Sequence, residues 1–139
     1  MSFRLAPLIG EAVRNKGMAL FPRKIGVKYA MIARQNNENL YLIYSDDLYR
    51  WDGGQAILKP EFPWEFVQIC NCGSPIELDE GWLLLTHGVG PVRKYSSGAA
   101  LLDRNTPPRC LRVHASRCCG LNHPSAKDTS LTSSTHAGR

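Results

Sequence analysis

Three nitrogen-bearing side chains in this sequence could bind an anion or a hydroxylated ligand. Lys16 supplies a compact positive charge suited to a phosphate or a sugar hydroxyl, and Arg34 a planar fork that can bind two oxygens at once. His87 follows an apolar run and could donate a hydrogen bond near neutral pH. The alternatives are a surface lysine, an ion pair at a strand end and a structural histidine.

Acidic and aromatic side chains occur where other apolar runs end. Tyr44, Asp46 and Asp47 lie in the run YSDD, and Glu77 and Asp103 flank a later apolar stretch. A ring face beside hydroxyl acceptors suits sugar recognition. Adjacent carboxylates on a strand point to opposite faces, so Asp46 and Asp47 are a poor catalytic pair. We expect one to cap a turn and the other to face a pocket, although two structural roles explain the motif equally well.

The cysteines do not form a recognisable metal motif. Cys70 and Cys72 are spaced as CxC with no further ligand nearby, which favours reduced, partly buried thiols over a zinc site. Cys118 and Cys119 lie near histidines at spacings that fit no standard zinc pattern. The sequence therefore predicts no metal and no cofactor.

Most of the net charge of +5 lies at the end of the chain. Residues 1–107 carry 12 basic and 11 acidic side chains, whereas residues 108–139 carry five basic and one acidic. That tail contains no aromatic residue, so it does not predict a nucleic-acid partner. Charges interrupt the first twenty residues and no apolar run reaches about 18 residues, which predicts a cytoplasmic chain with no membrane contact.

Several short apolar segments predict β-strands. KYAMIAR and LYLIYS, joined by the asparagine-rich turn QNNEN, are typical of an antiparallel hairpin, and a single helical turn is expected at residues 11–14. WEFVQICNCG, GWLLLTHG and YSSGAALLD supply further strands. WDGG, at residues 51–54, is interpreted as the end of the first unit.

The strand pairs recur about fifty residues apart, each near an aspartate. This spacing is typical of the blades of a β-propeller. A plain β-sandwich is the alternative.

Two long runs resemble glycoside hydrolase family 130. NKGMALFPRKIGVKYAMIARQNNENLYLIYSDDLYRW and GSPIELDEGWLLLTHGVGPVRKYSSGAALLD are similar to that family's motifs in order and spacing over residues 14–103. The resemblance implies a five-bladed β-propeller and an enzyme that cleaves β-mannosides, usually with phosphate as the attacking group. It also implies that Lys16 faces the central pocket and that Asp103 contacts sugar hydroxyls.

The resemblance also implies what this chain lacks. In the family, an aspartic acid upstream of the matched region protonates the leaving group, as in inverting glycosidases with phosphate in place of water. Gly17 stands where the family usually has Asp, and Ala33 where its phosphorylases often have His. These departures keep open a β-mannoside hydrolase and a non-catalytic sugar-binding part.

The tail carries a trace of another reading frame. When the third base of each codon is joined to the first two of the next, permitted codons over residues 124–139 spell EREGYVPNVVYTCGA, a phrase like one found after the matched region in the family. We hypothesise a frameshift near residues 106–108. The coding DNA tests this directly, because a shifted frame without that phrase would refute it.

Together these observations predict an all-β chain of about two blades of a five-bladed propeller. We expect an irregular lead-in at residues 1–17, the partial propeller at 18–107 and a disordered tail at 108–139. The expected ligands are a β-mannoside oligosaccharide and phosphate, and the chain could form a homo-oligomer. The expected binding residues are Lys16, Arg34, Tyr44, Asp46, Glu77, His87 and Asp103.

Overall fold

The computed structural model describes residues 5–118, which form two antiparallel sheets. The strands of the first sheet are β1 (Ala19–Leu20), β2 (Tyr29–Ala33), β3 (Leu40–Ser45) and β4 (Gly54–Leu58). Those of the second are β5 (Gln68–Asn71), β6 (Ile76–Leu78), β7 (Gly81–Val89), β8 (Tyr95–Leu102) and β9 (Cys110–Cys118). The first sheet has the strand order β1-β2-β3-β4, and the second has the order β5-β7-β8-β9 with β6 paired to β7. Short 3-10 turns lie at Glu11–Val13, Pro63–Glu65 and Pro91–Arg93.

The predicted hairpin is confirmed. β2 and β3 pair in register, with Met31 opposite Ile43, and the loop between them contains Asn37 with a φ of 60°. Asn36 accepts two backbone N–H groups of the same loop through its Oδ1. An asparagine that bonds its own backbone in this way stabilises a tight turn.

Each sheet has more strands than the sequence predicts. β4 begins at Gly54, where the sequence indicates the end of a unit, and β6 lies in a stretch for which the sequence predicts no strand. β4 is mostly exposed at its start and β6 is only three residues long. Neither has a full alternating pattern, so pairing with β3 and β7 supplies the order that the local sequence does not.

The structure also departs from the predicted boundary at residue 107. Residues 110–118, inside the segment expected to be disordered, form β9 along the free edge of β8. Apolar and polar residues alternate from Leu111 to Ser116, which is the pattern of a strand, and the unpaired edge of β8 offers the backbone partners for it. The rest of the predicted tail, residues 119–139, lies outside the described residues.

One hydrophobic core joins the two sheets. Phe21, Ile32 and Leu42 of the first sheet region pack in the same cluster as Trp82 and Leu84 of the second. Phe21 and Trp82 meet edge to face with ring centroids 5.0 Å apart. The sheets are therefore held face to face by shared apolar burial.

The lead-in covers the opposite face of the first sheet. Ile9 forms a parallel bridge with Arg50, and Ala12 belongs to a second apolar cluster that contains Met31 and Trp51. The helical turn predicted at residues 11–14 is present as the 3-10 turn Glu11–Val13. The lead-in thus places Lys16 just before β1.

Candidate functional site

Hydrogen bonds tie the loop that carries Lys16 to the end of β2. The Asn15 Nδ2 donates to the Gln35 carbonyl at 2.8 Å, and the Asn37 Nδ2 donates to the Asn15 Oδ1 at 3.2 Å. Gly17 has a φ of 86°, and a Cβ there would lie 3.1 Å from the Arg34 Cδ. The glycine that departs from the family motif therefore packs directly against Arg34.

Arg34 is a buried cation with an incomplete set of partners. Only 6% of the residue is exposed, and its Nη2 donates to the Asn37 carbonyl at 2.7 Å and to the Gln68 Oε1 at 2.8 Å. Its Nε is buried and has no hydrogen-bond partner in the part of the chain that the structure describes. Within residues 5–111 no carboxylate forms an ion pair with Arg34, which argues against the strand-end ion pair. An uncompensated buried charge is costly, so it is suited to a ligand oxygen.

The second sheet brings His87 and two thiols beside this cation. Cys70 and His87 are directly opposite in the β5–β7 pairing, so their side chains lie on the same face. The Cys72 Sγ lies 3.4 Å from the His87 Nδ1. We call Lys16, Arg34, Cys70, Cys72 and His87 the Arg34 cluster.

Burial and positive charge shape the titration of this cluster. Burial, aided by the Arg34 charge, lowers the pKa of His87, so its imidazole is neutral at pH 7. Burial raises the pKa of the Cys70 thiol, and Arg34 and Lys16 oppose that shift. Burial also raises the pKa of Cys72. The cluster therefore combines a fixed guanidinium, an exposed ammonium and a neutral hydrogen-bonding ring.

An aromatic ring borders the cluster. Tyr95, at the start of β8, is 60% exposed, and its ring centroid lies 5.7 Å from that of His87. Exposed aromatic rings beside polar groups are suited to packing on a sugar face. Tyr95 is not predicted from the sequence as a binding residue, because only the β7–β8 register brings it opposite Val89 and near His87.

Glu77 lies outside the Arg34 cluster. Its carboxylate accepts hydrogen bonds from the Arg23 Nε at 2.9 Å and the Arg104 Nη2 at 3.2 Å. The Arg23 hydrogen bond is the main reason that the pKa of Glu77 lies below its ordinary value. Arg23 precedes β2 and Arg104 follows β8, so Glu77 joins the two sheets by ion pairs and its environment is structural.

The acidic residues at the strand ends have mainly local partners. Asp46 is exposed and its Oδ2 lies 3.4 Å from the Lys28 Nζ. The Asp47 Oδ1 accepts the Tyr49 backbone N–H at 2.9 Å, so Asp47 is the carboxylate that caps the turn. The Asp103 Oδ1 accepts the backbone N–H groups of Asn105 and Thr106, which lowers its pKa.

Tyr44 contacts the shared core. It is half-buried against the cluster that joins the sheets, and burial raises the pKa of its phenol.

Of the seven predicted binding residues, the structure gathers Lys16, Arg34 and His87 at one place. Within residues 5–111 no group of three or more His, Cys, Asp or Glu side chains is arranged to hold a metal ion.

Comparison with known proteins gives consistent matches. The sequence profile of glycoside hydrolase family 130, described as β-1,4-mannooligosaccharide phosphorylase, matches residues 4–117. A 1,2-β-oligomannan phosphorylase of a Thermoanaerobacter species is 37% identical over 98 residues, covering 70% of this chain and 33% of that protein. The β-1,4-mannooligosaccharide phosphorylase of Ruminococcus albus is 35% identical over 104 residues, covering 67% and 30%. The chain thus spans about a third of the length of these curated relatives.

Solved structures show the same fold. The β-1,2-mannobiose phosphorylase of Listeria innocua, in complex with β-1,2-mannobiose, superposes with a TM-score of 0.67 at 28% identity, over 83% of this chain and 33% of that one. A glycoside hydrolase structure from Bacteroides ovatus has a TM-score of 0.68 at 20% identity, over 78% and 39%. The two sheets are accordingly about two blades of a five-bladed β-propeller. Among residues 5–118, no helix has the length and apolar character needed to span a membrane.

Proposed function

Because the chain belongs to glycoside hydrolase family 130, we propose that it is part of a β-mannoside phosphorylase and that its Arg34 cluster binds phosphate. The family assignment rests on the profile match over residues 4–117 and on relatives named as mannoside phosphorylases. The observation that carries the phosphate proposal is the buried Arg34 guanidinium, which within residues 5–111 has no partner for its Nε and no carboxylate in ion-pair contact.

The chemistry of the cluster supports an anionic ligand. A guanidinium can donate to two phosphate oxygens at once, and Lys16 adds a mobile point charge from the adjoining loop. The neutral ring of His87 can donate one hydrogen bond from Nε2 while Nδ1 faces Cys72. Low local dielectric around the buried Arg34 strengthens its attraction for a ligand oxygen.

The division of labour in the reaction follows from the family's mechanism. Phosphorolysis needs an acid to protonate the leaving oxygen and a bound phosphate to attack the sugar carbon. In this proposal the chain supplies phosphate binding, and the proton donor belongs to the portion of the enzyme that the matched third of its relatives does not include. The 139-residue chain alone is therefore expected to show no turnover of mannobiose, with or without phosphate.

A thermal-shift titration of the 139-residue chain tests phosphate binding. Inorganic phosphate should raise Tm relative to chloride at equal ionic strength, since a ligand at 100 times its Kd stabilises the folded state by about 2.7 kcal/mol. Lys16→Gln should weaken the shift without unfolding the chain, because Lys16 is exposed. Lys59→Gln, at another exposed lysine, is the matched control. Equal phosphate shifts in both variants would contradict the proposal.

A β-mannoside hydrolase is the second candidate, because Ala33 stands where the phosphorylases of the family often have His, and this chain lacks that donor. A chain that binds mannobiose but not phosphate would support the hydrolase, or the non-catalytic sugar-binding part. A rise in Tm with phosphate or mannose 1-phosphate would support the phosphorylase.

The cytoplasmic location and the homo-oligomer expected from the sequence remain predictions.

A further inference from the structure

Cys70 and Cys72 are two residues apart but differ sharply in exposure. Cys70 is 3% exposed, whereas Cys72 is open to solvent just beyond the end of β5. The Cys72 backbone N–H donates to the Leu85 carbonyl at 2.8 Å, which fixes its position beside β7. The chain thus contains an accessible thiol with a buried thiol beside it as an internal reference.

The accessible thiol has a base within reach. The Cys72 Sγ lies 3.4 Å from the His87 Nδ1, and with the ring proton on Nε2 this nitrogen accepts the S–H. His87 is neutral at pH 7 because burial lowers its pKa. Burial raises the pKa of Cys72, so the thiolate is not preformed and a nearby proton acceptor is needed for attack.

Positive charge lies beside the His87 member of this pair. Arg34 acts on His87, and Arg34 and Lys16 both act on the Cys70 thiol opposite it. Arg34 is more than nine-tenths buried, and its Nε has no hydrogen-bond partner among the described residues. This environment attracts anionic reagents in preference to cationic ones.

We propose that Cys72 is a thiol-modification site that reacts with small anionic disulfides of the glutathione disulfide type. In the step, the Cys72 S–H proton passes to the His87 Nδ1 while Sγ attacks one sulfur of the disulfide. The disulfide S–S bond breaks, a new S–S bond joins Cys72 to half of the reagent, and the departing thiolate takes the proton from His87. One disulfide and one thiol are consumed and one of each is formed.

The adduct would occupy the space next to Lys16 and Arg34. Its carboxylates would compete with phosphate for these cations, a consequence that rests on the proposed function. The modification of Cys72 does not rest on the proposed function, since it is detected as a covalent mass on one cysteine. The modification and the phosphate binding can therefore fail separately.

The main experiment treats the reduced 139-residue chain with glutathione disulfide at pH 7 and maps the adduct by tandem mass spectrometry. We expect the mixed disulfide on Cys72 while Cys70 stays unmodified, and equal modification of both in urea. Comparable labelling of Cys70 and Cys72 without urea, or labelling of neither, would overturn the proposal.

A second measurement tests the charge and the base. For each disulfide, the rate of Cys72 modification in the folded chain is divided by the rate in urea. At low ionic strength this normalised rate should be about tenfold higher for glutathione disulfide than for the cationic disulfide cystamine. The ratio of the two normalised rates should fall in 1 M salt. Lys16→Gln should reduce this preference and Lys59→Gln should keep it. Equal rates for the two disulfides would refute the electrostatic part, and an unchanged rate in His87→Gln would refute proton transfer to His87.

Discussion

Arg34 and Glu77 show how two charged residues acquire different roles from their surroundings. Both were expected to bind ligand, and both lie near strand ends. Glu77 is neutralised by Arg23 and Arg104, whereas Arg34 donates, among the described residues, only to the neutral oxygens of Asn37 and Gln68. A charge with its counter-charges in place stabilises the fold, and a buried charge without one is suited to a ligand.

Replacing Arg34 should cost more stability than replacing an exposed arginine. Arg34→Ala leaves the Gln68 Oε1 and the Asn37 carbonyl without their donor, which should lower the free energy of unfolding by about 1–3 kcal/mol. Arg50→Ala removes an exposed, solvent-screened ion pair with Asp52 and should cost much less. Urea unfolding of both variants measures the difference, and equal losses would show that Arg34 is not held as described.

At the scale of elements, β4 depends on a close approach to β3. A Cβ on Gly54 would lie 2.0 Å from the Ile43 Cγ2 and 2.6 Å from the Leu42 carbonyl oxygen. The adjacent Gly53 has open space where its Cβ would be. The first glycine therefore allows the strand to pair, while the second has no such contact to avoid.

The two glycines give a matched pair of variants. Gly54→Ala should destabilise the protein by about 1–3 kcal/mol, because the new methyl group overpacks against Ile43. Gly53→Ala should change the free energy of unfolding by no more than about 0.5 kcal/mol. Thermal or urea unfolding provides the test, and a loss in Gly53→Ala as large as that in Gly54→Ala would contradict the described register.

At the scale of the whole molecule, the two sheets are joined by a core and an ion-pair network. The core joins Phe21 to Trp82, and the Arg23 guanidinium carbon lies 5.0 Å from the centre of the Trp82 ring. Glu77 connects this arginine to Arg104, whose carbonyl accepts the Trp82 Nε1–H at 3.1 Å. Apolar burial and charge thus act at the same junction.

The Glu77 network predicts an acid-dependent part of the stability. The pKa of Glu77 is lower in the folded chain than its ordinary value, so the stabilisation is present above that ordinary value and disappears as pH falls through the folded pKa. Wild type should therefore unfold at higher urea than Glu77→Gln at pH 7, and the difference should shrink as the pH falls below the ordinary range of a glutamate. A difference that persists unchanged at acid pH would exclude ion pairing as its cause.

The strands that the sequence predicts correctly are those whose pairing is specified by residues close together in the chain. β2 and β3 were predicted with nearly their observed bounds, since apolar residues and an asparagine turn specify a hairpin without help from the rest of the chain. β4 and β6 were missed because their order comes from partner strands. Lys16, Arg34 and His87 were selected by residue type and motif, but Tyr95 and the Cys72–His87 contact needed the pairing of β5, β7 and β8.

The sequence by itself determined the strand-rich class, the family and the concentration of the excess charge in the tail, because composition and ordered motifs are properties of the linear chain. Only the tertiary structure decided which charged groups meet. It paired Glu77 with two arginines and left Arg34 buried beside a neutral histidine and an accessible thiol. Distance and burial set these interactions, and residues from separate sheets acquire both only when a shared core brings the sheets together.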